Sequence, residues 1–213
     1  MILAHKPFYF LRHGETDWNS QGLFMGSQNI PLNQVGIKQA HTSAQGLKNE
    51  QISYIVSSPS LRALETAKII STALEKPLTV IDELRERCLG DMEGKSIDSI
   101  QTQWFSDSMI VNGEKMSEFQ TRLAIGLKKA LELPGPVLIV SHGGVYLVLQ
   151  EMMSWPVVHL KNCASVFHRP PEHSSHPWFI CHLTEEYMDD KTLENSLKSP
   201  RDLIAGSSSE GIL

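Results

Sequence analysis

Two apolar runs that stop in the same way constrain this chain more than any other feature. Phe8-Tyr9-Phe10-Leu11 ends on Arg12-His13-Gly14-Glu15-Thr16, and Val137-Leu138-Ile139-Val140 ends on Ser141-His142-Gly143-Gly144. Four large apolar residues in succession read as strands buried on both faces, the pattern of a parallel sheet covered by helices. In such sheets ligands bind beyond the carboxyl ends of the strands, so both histidines fall where a crevice forms. Two strands that end alike bring His13 and His142 together there, with Arg12 beside the first.

Length allows one substantial α/β domain: 213 residues stand against roughly 100 to 200 per domain. The balance of 19 Lys+Arg against 24 Asp+Glu, a net charge of -5, lacks the basic surplus of a nucleic-acid backbone binder. It leaves room for a small phosphorylated substrate held by a few local cations. No apolar run approaches the roughly 20 residues of a membrane helix. Residues 1–7 lack the pattern of a secretory signal. Cys88, Cys163 and Cys181 are odd in number and widely spaced, which predicts reduced thiols in a cytoplasmic protein.

Between the two motifs, Val35, Ala40, Ala44 and Leu47 predict an amphipathic helix over 34–47, followed by a buried strand over 52–57. Further strands are expected at 78–81, 163–167 and 178–183. Helices are expected where Phe119, Leu123, Leu127 and Leu131 recur and over 145–153. This alternation predicts an α/β three-layer sandwich: a mostly parallel central sheet flanked by helices, with a small cap insertion at about 95–117. Residues 1–190 are expected to form one domain, and 191–213 a tail of marginal order. Residues 16–22 read as a loop. Trp104 and Phe105, in the expected cap, could shape a pocket.

Several side chains carry readings of their own. Ser57-Ser58-Pro59 reads as a helix start, with Ser58 as cap and Pro59 at the first helical position. Arg62 then falls in the first turn, against the positive end of the helix dipole. Either an anion sits between them, or Arg62 is exposed and paired with Glu65 or another nearby carboxylate. The helix opening at Gly143-Gly144 turns free amides toward an anion beside His142. Asp82, Glu83, Glu86, Asp91 and Glu93 crowd one segment, and composition does not choose among them. His168, His173, His176 and His182 read as members of a solvated loop rather than a metal site.

The two strand-end motifs, with Ser-Pro-x-x-Arg-Ala between them, resemble the histidine phosphatase superfamily, which includes the cofactor-dependent phosphoglycerate mutases. The resemblance implies that His13 is the phosphorylated nucleophile and that Arg12, Asn19 and Arg62 bind phosphate. Asn19 stands six residues after the histidine, where the family carries a phosphate-contacting asparagine. Glu86, four residues before Gly90, takes the place of the proton donor, with His142 and the Gly143 amide completing the anion site. Asn29 replaces a usual aspartate, which is expected to alter hydrogen bonding only. Glu65 replaces a common glutamine, and Lys115 replaces the serine of Gly-Glu-Ser, where it could meet a substrate anion.

The implied function is phosphomonoester hydrolysis through a phosphohistidine, needing neither metal nor cofactor, on a small phosphorylated metabolite. Arg12 and Arg62 would favour the neutral, nucleophilic form of His13 by opposing a third positive charge. A 2,3-bisphosphoglycerate-dependent phosphoglycerate mutase is the first alternative. Mutases of the family carry paired arginines and a Tyr-Gly after the equivalent of Gly94, and residues 95–117 contain neither. A non-catalytic phosphate-binding or adaptor protein is the second. The expected partner is the small substrate alone, without nucleic acid or membrane. The sequence permits a homodimer without requiring one.

Overall fold

Strand residues alternate between two separate cores. The computed structural model describes residues 5–97, 107–172 and 177–183. Its strands are β1 (Phe8–Arg12), β2 (Tyr54–Ser57), β3 (Leu78–Val80), β4 (Val137–Ser141), β5 (Ser165–Arg169) and β6 (Phe179–His182). Its α-helices are α1 (Asp17–Ser20), α2 (Gln34–Gly46), α3 (Leu61–Leu74), α4 (Met116–Glu132) and α5 (Gly143–Met153). Phe8, Phe10 and Ile139 turn to one face and pack with Phe119, Leu123 and Leu127 of α4 and Val145 and Val148 of α5. Tyr9, Leu11, Leu138 and Val140 turn to the other, against Ala40 and Ala44 of α2 and Ala67 and Ile70 of α3. The result is the expected three-layer α/β sandwich. Each fully buried large side chain contributes about 1.5–3 kcal/mol.

The sheet order is β3-β2-β4-β1-β5-β6. The first four strands are parallel, while β5 runs antiparallel to β1 and β6 antiparallel to β5. From β1 the chain leaves through α2 toward β2; from β4 it leaves through α5 toward β5, in the opposite direction. The neighbours β1 and β4 therefore frame the switch point at which open α/β sheets bind ligands. Arg12 pairs in register with Ser141, and the His13 amide donates to the Ser141 carbonyl at 2.9 Å. His13 and His142 consequently emerge side by side.

Four local expectations need correction. Residues 17–20 form one helical turn because Thr16 and Asn19 cap it reciprocally, each side chain accepting from the other's backbone amide. The helix after β2 begins at Leu61, not at Pro59, since the Ser58 hydroxyl is engaged elsewhere and Asn29 Oδ1 accepts the Leu61 amide at 2.7 Å. His168 and His182 lie in β5 and β6 rather than in a solvated loop. His168 is buried, stacked on Phe8 at 4.5 Å and on Trp155 at 5.0 Å, with Nε2 at 3.1 Å from the Tyr146 hydroxyl. Lys115 is exposed beside the start of α4 and does not border the crevice. Trp104, Phe105, His173, His176 and the tail from 191 lie outside the described residues, as does part of the expected cap. Among the described residues no helix is long and apolar enough to cross a membrane.

Candidate active site

The site begins with the tautomer of His13. Its Nδ1 lies 2.7 Å from the Gly14 carbonyl, which can only accept, so Nδ1 carries the proton and Nε2 presents a lone pair. Nε of Arg62 donates to that nitrogen at 3.2 Å. Burial, reinforced by Arg62 and then Arg12, holds the imidazole well below its ordinary pKa, so the ring is neutral near pH 7. The arginines act as expected, but burial is the larger cause. The tight path of the loop requires glycine: a Cβ on Gly14 would stand 2.6 Å from the Gly36 carbonyl oxygen.

Arg62 is only 1% exposed, which rules out the exposed Arg62–Glu65 pair; Glu65 instead accepts the Leu32 amide at 3.0 Å. Its Nη1 donates to Gln28 O at 2.7 Å and its Nη2 to Gly26 O at 2.9 Å. Glu93 holds that loop in place by accepting from Ser27 N (2.7 Å) and Gln28 Nε2 (2.6 Å). No described carboxylate forms an ion pair with Arg62, so its positive charge stays available within the site.

Arg12 Nη1 donates to Leu160 O at 2.6 Å, but its Nε is buried without a partner among the described residues. The same holds for Nδ1 of His142. The other nitrogen, Nε2, lies 2.8 Å from the Ser58 hydroxyl, a shorter contact than the 3.3 Å from Ser58 to Ser60 Oγ. We assign the hydroxyl hydrogen to His142 Nε2, which leaves the ring proton on Nδ1 as a donor. The His142 ring meets that of His13 edge to face at 5.3 Å. Burial first, then Arg62, His13 and Arg12, holds His142 well below its ordinary pKa.

Asn19 Oδ1 takes contacts from Thr16 N (3.2 Å), Thr16 Oγ1 (3.1 Å) and Asn162 Nδ2 (3.2 Å). The amide is thereby turned so that its NH2 group, without a partner among the described residues, is left to donate. Asn162 also donates to the His13 carbonyl at 3.0 Å.

Glu86 accepts from Arg87 N and from Gly144 N, each at 3.0 Å. Burial raises its pKa above the ordinary carboxylate range, opposed by those amides and by Arg62 and Arg12. Arg122 grips its segment, donating to Glu83 O (2.8 Å), Arg85 O (3.0 Å) and Glu86 O (3.3 Å) while forking onto the Glu114 carboxylate. Ser141 Oγ adds a bond to Leu84 O at 2.8 Å. The neighbouring acids are occupied elsewhere: Glu83 pairs with Lys129 and Asp91 with Asn112.

Arg12, His13, Asn19, Arg62, Glu86 and Gly143 share one cavity of about 470 Å³. His142 is fully buried and adjoins His13 without lining that cavity itself. All seven residues singled out in the sequence therefore converge. Sequence reading missed Ser58, Arg122, Asn162 and the apolar lining, for their side chains act through folded contacts that no local pattern announces.

A neutral histidine between two arginines, at the carboxyl edge of a mostly parallel sheet, defines an α/β protein suited to an anionic ligand. The chain belongs to the histidine phosphatase superfamily (branch 1), whose model matches residues 8–166. It is thus an enzyme of the phosphoglycerate mutase-like phosphatase kind. A relative from Yersinia pestis (strain Pestoides F), named "Probable phosphoglycerate mutase GpmB", is 35% identical over 174 residues, 73% of this chain and 81% of its own length. The solved mycobacterial glucosyl-3-phosphoglycerate phosphatase in complex with VO3 aligns with a TM-score of 0.67 at 26% identity, over 82% of this chain and 97% of its own. The structure titled "Mycobacterial hydrolase 1" aligns at 0.71 and 24% identity over 82% and 96%, a likeness of fold.

Proposed function

We propose that this protein hydrolyses phosphate monoesters through a phosphohistidine at His13, without a metal. The observation that carries the reading is the unprotonated Nε2 of His13, accepting from Arg62 Nε at 3.2 Å in a site whose Arg12 Nε and His142 Nδ1 lack partners among the described residues. Unpaired buried donors are costly, about 1–3 kcal/mol each, and a phosphoryl group offers three oxygens to satisfy them.

In the first step Nε2 attacks phosphorus, the ester P–O bond breaks, and protonated Glu86 delivers its proton to the departing alkoxide. Arg12, Arg62, Asn19, His142 and the Gly143 amide neutralise charge on the phosphoryl oxygens. In the second step Glu86, now a carboxylate, takes a proton from water as the water oxygen attacks phosphorus. The P–N bond breaks, releasing inorganic phosphate and neutral His13. The raised pKa of Glu86 favours the protonated form that the first step needs and strengthens the carboxylate as the base of the second.

The similarity to a relative named as a phosphoglycerate mutase favours mutase activity as the second reading. Against it, residues 95–117 contain no arginine to hold a second anionic group. A binding or adaptor role is disfavoured because nucleophile, proton donor and phosphate ligands all converge. Residues 1–190 act as one catalytic domain in this reading, and three cysteines, odd in number and widely spaced, support a reducing, cytoplasmic setting.

The test is p-nitrophenyl phosphate hydrolysis in EDTA by wild type and His13→Ala, alongside conversion of 3-phosphoglycerate with 2,3-bisphosphoglycerate present. Hydrolysis lost in the variant, without isomerisation, supports the phosphatase. Fast isomerisation with weak hydrolysis selects the mutase, and silence in both selects the binding protein.

A further inference from the structure

The cavity has two kinds of lining. Beside its charged and polar residues, the described walls carry the apolar side chains of Leu23, Phe24, Met25, Leu89, Ile97, Leu147 and Leu160. Beyond Arg12 and Arg62, the one guanidinium bordering the described cavity belongs to Arg87. It is committed: Nε donates to Glu114 O at 2.9 Å and Nη2 lies 2.5 Å from Asp107 Oδ1. His159, which is exposed, also borders the cavity.

The apolar wall is preformed. Phe24 N donates to Lys95 O at 2.9 Å, Gly94 N to Phe24 O at 2.8 Å and Ile97 N to Gly22 O at 2.8 Å, so two loops are joined as a short antiparallel bridge. A wall fixed by its own backbone bonds needs little ordering when a ligand arrives.

Resting on the phosphatase reading, we infer that the substrate is the phosphate monoester of an apolar alcohol, its organic group seated against Phe24, Met25 and Leu147. A phosphoglycerate would bring a carboxylate, or a second phosphate, against described side chains that are apolar and donate no hydrogen bond, and a charge set there loses hydration without replacement. The nearby Glu86 would repel it further once ionised. An aryl or branched alkyl group gains from burial against the same wall. The bond broken is the ester P–O bond, water supplies oxygen to phosphorus, and the products are the alcohol and inorganic phosphate.

The test compares 2-phenylethyl phosphate, glycerol 3-phosphate and 3-phosphoglycerate with the full chain in EDTA. All three are esters of primary alcohols, which matches their leaving groups. The expected kcat/KM favours 2-phenylethyl phosphate on the order of 100-fold, the gain of burying about one aromatic ring. Phe24→Ala is expected to narrow that preference about tenfold, and Ile97→Arg, at a half-exposed position, to raise turnover of 3-phosphoglycerate. Equal or better turnover of either polar ester by wild type overturns the inference and leaves the phosphatase standing. So does a preference that neither folded variant alters. Failure to release phosphate from any ester, including p-nitrophenyl phosphate, overturns the phosphatase reading itself.

Discussion

Nε of Arg62 donates to Nε2 of His13 across 3.2 Å, so one guanidinium orients the nitrogen that would attack phosphorus. Its two terminal nitrogens are held by Gly26 O and Gln28 O. Lysine cannot reproduce this planar fork. Arg62→Lys is expected to lower kcat/KM on p-nitrophenyl phosphate on the order of 100-fold. Steady-state kinetics measures it, and retention of wild-type activity would contradict the role.

Glu86 and Gly144 form a second coupled pair. A Cβ on Gly144 would stand 2.4 Å from Glu86 Oε1, so Gly144→Ala must displace the carboxylate. Both Gly144→Ala and Glu86→Gln are expected to slow hydrolysis of alkyl phosphates by about 100-fold or more, and of p-nitrophenyl phosphate much less, since nitrophenolate departs without a proton. In wild type the rate should fall at high pH as Glu86 loses its proton and at low pH as His13 gains one. Glu86→Gln should abolish the high-pH limb. A pH–rate profile on an alkyl ester checks both.

Stability should decline with acid earlier than carboxylates alone would dictate. Unfolded histidine takes up a proton near pH ~6.5, whereas burial holds His13 and His142 well below that and His168 down to about 3. Below that pH the unfolded chain binds more protons than the native one. Stability present above pH ~6.5 is therefore lost as pH falls, by up to about 1.4 kcal/mol per pH unit for each histidine. Glu86, with a raised native pKa, acts oppositely in a window just above its ordinary value. His168→Gln loses the stack on Phe8 and Trp155 and is less stable at about pH 7.5; by about pH 5 the gap to wild type should narrow. Urea unfolding measures it, and a constant gap would contradict the linkage.

The two strand-end histidines were legible because β1 and β4 are buried on both faces, and an apolar run that stops on a histidine shows in one dimension. Their adjacency was legible too, since parallel strands align their ends. Less legible was anything set by contacts distant in sequence. Ser58 reads as a helix cap, yet its hydroxyl faces His142, 84 positions away in the chain. Arg122 sits on a helix face like any surface arginine, and only folding carries it to the backbone of Glu86. His168 looked solvated among polar and proline neighbours, but strand pairing with β1 places it against Phe8. Glu86 itself was separable from four neighbouring acids by family resemblance alone.

Asn162 should act through Asn19. Its Nδ2 is one of three groups that hold the Asn19 oxygen, so Asn162→Ala loosens that amide while the two Thr16 contacts remain. Inhibition by inorganic phosphate should weaken several-fold, with the melting temperature little changed, because one part-buried hydrogen-bonding group contributes only about 1 kcal/mol. Isothermal titration with phosphate is the measurement. Unchanged phosphate affinity in a folded variant would show that Asn162 does not orient the ligand.

The most direct measurement is a rapid quench, in alkaline denaturant that preserves an acid-labile P–N bond, of the enzyme with substrate carrying labelled phosphate, followed by mapping of the modified residue. The account predicts a stoichiometric burst of alcohol and label on Nε2 of His13, absent in His13→Ala. Label on another residue, or hydrolysis that persists in His13→Ala, would contradict it.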